Sequence, residues 1–467
     1  MSADTADVAE QLGTALGGRV ARVRRLSGGA SRVTSAFDLE TPSGEVRALI
    51  LQRVRGVVSA EGSAQGPDVQ VEACLLRAAR EAGVPVPGVV AAGAPDGLLP
   101  GWLVVDRLEG ETIPRRILRD EEFAAARPAL TDQAARALAA VHSIDPASVP
   151  GLPVADPLRQ PLDLLDALQE VRPVLEMGAR WLARSRPSMD ESVVVHGDFR
   201  MGNFLVDGSG LRGVLDWELA HLGDPVEDIG WLCAKAWRFG GPGRVGGFGK
   251  LDQFLAAYAS VGGRTVDVDR VRWWEAYATV KWAVICLLQA SSHLSGSTRS
   301  VELAAIGRRV CESEWDLLAL MGAAMPVVPG SLAGDDTEEV RLGSLSRASP
   351  LFGRPSIDEL VEAVGEYLET KVMVSSEGAA RFEARVALNV LAMVRRELAL
   401  GPAAQAAYTE RLLTLGAPDE ATMASAIRSG RYDDDLPALG AVLAEGVRDQ
   451  LLVVNPSYLV DPAKATD

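Results

Sequence analysis

Asp198, Asn203 and Asp216 are the residues of this chain whose types and spacing suit a chemical step. They lie in VVVHGDFRMGNFLVDGSGLRGVLD, residues 193–216. This stretch reads as a short buried strand, a polar loop from His196 to Asn203, and a hairpin whose arms, 204–206 and 211–215, flank Asp207-Gly208-Ser209-Gly210. A turn centred on Ser209-Gly210 would set Asn203 opposite Asp216 at the open end of the hairpin. An amide oxygen beside a carboxylate is a hard-oxygen site for Mg²⁺, and Asp198, on the loop before them, is placed to accept a hydroxyl proton. Those are the needs of phosphoryl transfer to an alcohol. The alternative is a loop and hairpin whose acids only cap neighbouring elements.

The spacing H-x-D-x-x-x-x-N, followed by a hairpin and Asp-Trp, resembles the aminoglycoside phosphotransferase family, small-molecule relatives of the protein kinases. The stretch LDWELAHLGDPVEDIGW is similar to that of the kinase-like domains found beside or fused to acyl-CoA dehydrogenases. The resemblance runs over about residues 10–325 and implies Asp198 as catalytic base, His196 as a brace for the loop, Asn203 and Asp216 as Mg²⁺ ligands, and ATP as donor. Downstream, Asp224 precedes Pro225 and reads as a turn former, and Asp228 as a buttress of the loop from a helix start; direct metal contact by either is the alternative.

An ATP-binding half is expected N-terminal to this. Strands are read over 20–26, 33–39 and 46–53, the first two joined by Ser27-Gly28-Gly29-Ala30-Ser31-Arg32. Small residues let backbone lie close over phosphates and Ser27 and Ser31 add hydroxyl donors, although SGGAS alone also suits an ordinary turn. In the family, LSGGASRVT at this place is the phosphate-covering loop. Family members usually carry Lys or Arg on the third strand, where this chain reads Leu49-Ile50-Leu51-Gln52-Arg53. With Gln52 in the usual position, Arg53 or Arg55 must substitute, and alternation forbids Gln52 and Arg53 facing the nucleotide together without a bulge. Arg53 is preferred, with Glu72 as its partner on a helix over 69–82 whose apolar face is Val71, Leu75, Ala78 and Ala82. Glu72 as a solvated helix carboxylate is the alternative. By resemblance, the backbone from Asp106 to Leu108 binds the adenine edge. A helix over 130–142 carries His142 as a core or helix-end residue.

The 467 residues exceed one typical domain, and 48% hydrophobic content suffices for a core. A net charge of −16 argues against nucleic acid or anionic membrane as partner. Four cysteines, Cys74, Cys233, Cys286 and Cys311, lack metal-ligand spacing, and the N-terminus has no basic and apolar leader, so a cytoplasmic setting is expected. No apolar run reaches about 18 residues, so no membrane span is expected.

Residues 326–355, rich in Pro, Gly and Ser, read as a linker. All nine tryptophans precede it. Beyond it, Ser356-Ile357-Asp358-Glu359 opens a helix with a stripe of Ile357, Leu360, Val361, Val364 and Leu368. A second helix is marked by Phe382, Val386, Val390, Met393 and Val394, and further helices are read over 403–415, 420–429 and 436–453. The expected fold is therefore α+β and two-lobed, protein-kinase-like: a β-rich N-lobe with the nucleotide-binding sheet (1–110), a mostly helical C-lobe (111–325), the linker, and a small all-α domain (356–467) for packing or homodimerisation. Ended near Leu332, the chain is expected to fold without that tail.

The expected function is ATP- and Mg²⁺-dependent transfer to a hydroxyl of a small molecule, a hydroxyacyl-CoA ahead of an aminoglycoside-like compound. Lys235, Arg238 and Lys281 are candidates for meeting an anionic substrate, and Trp231, Trp237, Trp273, Trp274, Trp282 and Trp315 are candidates for core or pocket. The runner-up is a nucleotide-binding sensing module with little turnover, motivated by Gln52.

Overall fold

Strands β1 (Arg19–Arg25), β2 (Arg32–Glu40), β3 (Val46–Val54), β4 (Val89–Gly93) and β5 (Trp102–Asp106) form an antiparallel sheet of order β1-β2-β3-β5-β4. The computed structural model describes residues 3–26, 32–54, 67–93, 101–154, 156–188, 191–262, 264–326 and 354–459. The chain divides into two compact units, Met1–Asp156 with Pro187–Glu275, and Pro157–Arg186 with Ala276–Asp467.

In the first unit, strand alternation sends Phe37 and Leu39 of β2, Leu49 and Leu51 of β3 and Val104 of β5 to one face of the sheet. There they pack with Val8 and Leu12 of the N-terminal helix α1 (Ala3–Leu16). Each such side chain contributes about 1.5–3 kcal/mol by leaving water. The register Thr34↔Gln52, Ala36↔Ile50 and Asp38↔Ala48 gives the opposite face to Arg32, Thr34 and Gln52. Helix α2 (Val69–Glu81) starts on Asp68, whose carboxylate accepts from the Gln70 N–H. It buries Val69, Glu72, Ala73, Leu75, Leu76 and Ala79, so its inward face is turned away from the expected line of Val71, Ala78 and Ala82. A carboxylate, Glu72, stands in the middle of that face, which an apolar-only count skips.

Strand β6 (Val193–Val195), buried throughout, pairs with β9 (His221–Gly223), and β7 (Phe204–Asp207) pairs with β8 (Gly210–Val214). The turn of this hairpin is Gly208-Ser209, not Ser209-Gly210 as expected. Asp207 fixes it by accepting from the Ser209 N–H at 2.7 Å and hydroxyl at 2.6 Å. Asn203 consequently faces Leu215, whose N–H donates to its carbonyl at 2.8 Å, and Asp216 follows one residue later with φ of 63°. Helix Arg127–His142 buries Leu130, Ala134, Leu138 and Val141, and His142 is a core residue bonded to Tyr258 and Asp228.

The second unit is helical. Helix Leu436–Val454 sets Gly440 where a Cβ would meet Ala323, Met177 and Leu318. Helix Glu420–Arg428 ends on Arg428, paired with buried Glu176 and with Asp166, while Asp433 takes both Arg180 and Arg184. The Ser356/Glu359 capping box forms as read. Two departures stand out. The expected second and third tail helices are one, Gly378–Thr414, which continues through Pro402. The apolar stripe Ile357, Leu360 and Val364 is exposed. Among the described residues, no helix is long and apolar enough to cross a membrane.

Candidate active site

The loop after β6 is held from below by Asp228, at the start of helix Val226–Cys233. Its two carboxylate oxygens accept the N–H groups of His196 at 2.8 Å and Gly197 at 2.9 Å, and His142 Nε2 lies 3.2 Å away. Complete burial alone would raise this carboxyl. The hydrogen bonds from His142 and from the loop N–H groups outweigh it and hold Asp228 below the usual carboxylate range. Gly197 has φ of 78°, and a Cβ there would meet the Leu219 carbonyl oxygen at 2.3 Å, so no other residue fits the bend. His196 is fully buried beside Trp217 and accepts the Asp198 N–H on Nδ1 at 3.2 Å; burial lowers its pKa and keeps the ring neutral.

Asp198 is then oriented by three side chains. Trp231 Nε1 donates to Oδ1 at 2.7 Å, Arg200 Nε to the same oxygen at 2.8 Å, and Asn203 Nδ2 to Oδ2 at 2.6 Å. Arg200 is itself fixed by lying 4.5 Å over the Trp237 ring. Because the Asn203 amide nitrogen is engaged with Asp198, its oxygen is the end left for a ligand. Asp216 is pushed up to about 7, first by burial and then by the charges of Glu218 and Asp198. A buried carboxylate under that repulsion gains from a cation, and its oxygen with that of Asn203 suits a hard divalent ion. Among the described residues, no group of three or more His, Cys, Asp or Glu is arranged as a metal cage. Mg²⁺ shared with phosphates needs only one or two protein ligands.

The remaining expected residues fall as follows. Ser27, Gly28, Gly29 and Ser31 lie outside the described residues, as does Arg55. Glu72 is buried, and its cation is Arg32, with Nη2 2.6 Å from Oε2; the expected pairing with Arg53 is not made. Arg53 pairs in register with Val33 and Trp102 and so lies on the α1 face of the sheet, its Nε buried without a hydrogen-bond partner among the described residues. Asp106 accepts from Arg47 at 3.0 Å, and its N–H and that of Arg107 donate to the Gly88 and Ala48 carbonyls. Leu108 lies against Gly213 of β8. Beyond it, Glu111 exchanges both backbone hydrogen bonds with Val206, tying the linker to the hairpin. Asp224 shapes its turn by accepting the Val226 N–H and pairs with Arg270.

Sequence reasoning missed Arg32 and Arg200. Arg32 was readable as an even-numbered β2 position on the face of Gln52. Trp273 and Trp274 are buried and Arg238 is tied to Glu275, whereas Trp231 and Trp237, also buried, touch the site through Asp198 and Arg200.

Residues 22–274 match the Phosphotransferase enzyme family (APH), and residues 375–458 match a domain of unknown function, DUF6285. Acyl-CoA dehydrogenase family member 10 of Mus musculus is 38% identical over 63 residues, covering 13% of this chain and 6% of that protein. Family member 11 of the same species is 31% identical over 137 residues, covering 26% and 18%. The match therefore spans less than a fifth of either relative. A solved structure assigned as an aminoglycoside phosphotransferase, from Ralstonia eutropha, shares the fold with a TM-score of 0.52 at 20% identity, covering 68% of this chain and 96% of that one. With more than half of its length matched, a β-rich N-terminal sheet and a mostly helical remainder, the chain belongs to the phosphotransferase enzyme family of kinase-like fold.

Proposed function

We propose that this protein transfers the γ-phosphoryl group of ATP to a hydroxyl of a small molecule. The observation that carries the reading is the arrangement around Asp198: a buried carboxylate held by Trp231, Arg200 and Asn203, with Asp216 next to Leu215, whose N–H bonds the Asn203 carbonyl. Asp198 accepts the hydroxyl proton as the alcohol oxygen attacks, while Arg200 stands beside it to offset charge on the transferring group. Asn203 and Asp216 would hold Mg²⁺, which when bound neutralises phosphate charge. The linker at Asp106 to Leu108 would receive the adenine.

Similarity to acyl-CoA dehydrogenase family members favours a hydroxyacyl-CoA over an aminoglycoside as acceptor. The exposed stripe of Ile357, Leu360 and Val364 favours homodimerisation, tested by light scattering of the protein with Leu360→Glu. Four free cysteines, three of them buried, agree with a reduced cytoplasmic setting. The function is tested by offering Mg²⁺-ATP with hydroxyacyl-CoAs and aminoglycosides in parallel. A phosphorylated acyl-CoA seen by mass spectrometry supports the reading. Product from aminoglycosides alone reverses the acceptor order, and absence of product across a broad alcohol panel defeats the enzyme.

A further inference from the structure

We infer that Arg32, on β2, is the cation that meets the nucleotide phosphates in this protein, in the role the family usually gives to the third strand. The inference rests on the nucleotide reading above and assigns a residue within that site.

Three observations point to it. First, Arg32 stands opposite Val54 and shares a face with Thr34 and Gln52, whereas Arg53 lies on the face packed by α1. Position 53 therefore cannot supply the charge without turning the strand over. Second, the Arg32 guanidinium is anchored rather than loose. Its Nη2 is 2.6 Å from Glu72 Oε2 and its Nε is 3.4 Å from Glu218 Oε2, with side-chain exposures of 11% for Arg32 and 2% for Glu72. Third, two carboxylates share this guanidinium, Glu72 and Glu218, the latter two residues after Asp216 in the chain. A guanidinium has five N–H donors in a planar fork; anchoring through Nε and Nη2 leaves the Nη1 edge for phosphate oxygens. Gln52 is then no loss of function: the charge has moved one strand over, onto the same face.

The competing role is a purely structural pin between β2 and α2. It is separated from phosphate binding by moving the charge. Mg²⁺-ATP is titrated calorimetrically into the full chain as wild type, Arg53→Ala, Arg32→Gln with Glu72→Gln, and that double variant carrying Gln52→Lys, each checked by thermal melting. Removing both partners avoids stranding the buried Glu72 charge. The double variant is expected to bind about 10- to 100-fold more weakly, the worth of lost charge-assisted hydrogen bonds. Gln52→Lys should recover part of that loss, which a structural pin would not allow. Arg53→Ala should stay within about threefold of wild type. A folded double variant that binds like wild type overturns the assignment, as does loss of binding in Arg53→Ala. If the double variant melts early, Arg53→Ala alone decides: binding kept supports Arg32 and binding lost refutes it. A wild type that binds no nucleotide defeats the underlying reading, and this inference with it.

Discussion

The indole N–H of Trp231 donates to Oδ1 of Asp198 at 2.7 Å, although 33 residues separate them. Helix Val226–Cys233 thus does two things for the loop after β6: Asp228 holds its backbone, and Trp231, one turn later, orients Asp198, the proposed base.

Trp231→Phe keeps the ring packing and removes only that donor. Loss of one hydrogen bond to a charged, buried acceptor costs about 1.5–3 kcal/mol, so kcat should fall roughly tenfold or more. The KM for ATP should change little, because Trp231 touches the base and not the metal ligands. Steady-state kinetics with both substrates varied reads the split, and an unchanged kcat would show that Asp198 needs no such aiming.

Asp228→Asn leaves one acceptor oxygen for two loop N–H groups and an unsatisfied buried donor, a loss of about 1–3 kcal/mol. The pH dependence has a definite sign. The folded-state pKa of Asp228 is depressed, so its stabilisation is present above the unfolded value near 4 and is lost as pH falls through the folded one. His196, also depressed and held neutral by burial, favours the unfolded state as pH drops below about 6.5. The melting-temperature gap between wild type and Asp228→Asn should be full at neutral pH and narrow below about pH 4. A gap that widens on acidification would contradict this account of the Asp228 carboxylate.

Much of this site was legible in the sequence because local rules specify it. Asp198, Asn203 and Asp216 sit on one loop and one hairpin, so spacing brings them into one neighbourhood without fixing which residue faces which. The hairpin turn was misplaced by one residue because Asp207, which selects Gly208-Ser209 through its own side-chain bonds, was read only as part of the loop. The Glu72 partner was missed for a different reason. Arg32 and Glu72 are brought together by sheet register and helix rotation, and the search for a cation was confined to one strand. In the tail, separate helices were read around 382–394 and over 403–415, yet one helix, Gly378–Thr414, runs through both and through Pro402. Proline forbids its own N–H bond but not continuation of the backbone beyond.

The tail helices bear on stability of the second unit. Gly440 sits against Met177 and Leu318, Arg428 neutralises Glu176, and Asn455 and Tyr458 bond to Glu312 and Asp316. A chain ended near Leu332 would expose these partners, so it is expected to be insoluble or to melt well below the full chain, contrary to the reading from sequence. Arg428→Ala alone, which leaves the buried Glu176 charge uncompensated, should lower stability by about 1–3 kcal/mol, discounted for the half-exposed arginine. A soluble shortened chain with an undiminished nucleotide-induced thermal shift would show the tail to be dispensable.

The central claim, that Asp198 is the base while Asp216 and Asn203 hold the metal, is tested most directly by one paired experiment. Mg²⁺-ATP binding by calorimetry and phosphoryl transfer by mass spectrometry are measured side by side in Asp198→Ala and Asp216→Ala. Asp198→Ala should bind Mg²⁺-ATP nearly as wild type and lose about 10²–10⁴-fold in transfer. Asp216→Ala should lose the Mg²⁺-dependent part of nucleotide binding itself. Unchanged Mg²⁺-ATP binding in Asp216→Ala, or undiminished transfer in Asp198→Ala, would contradict the account.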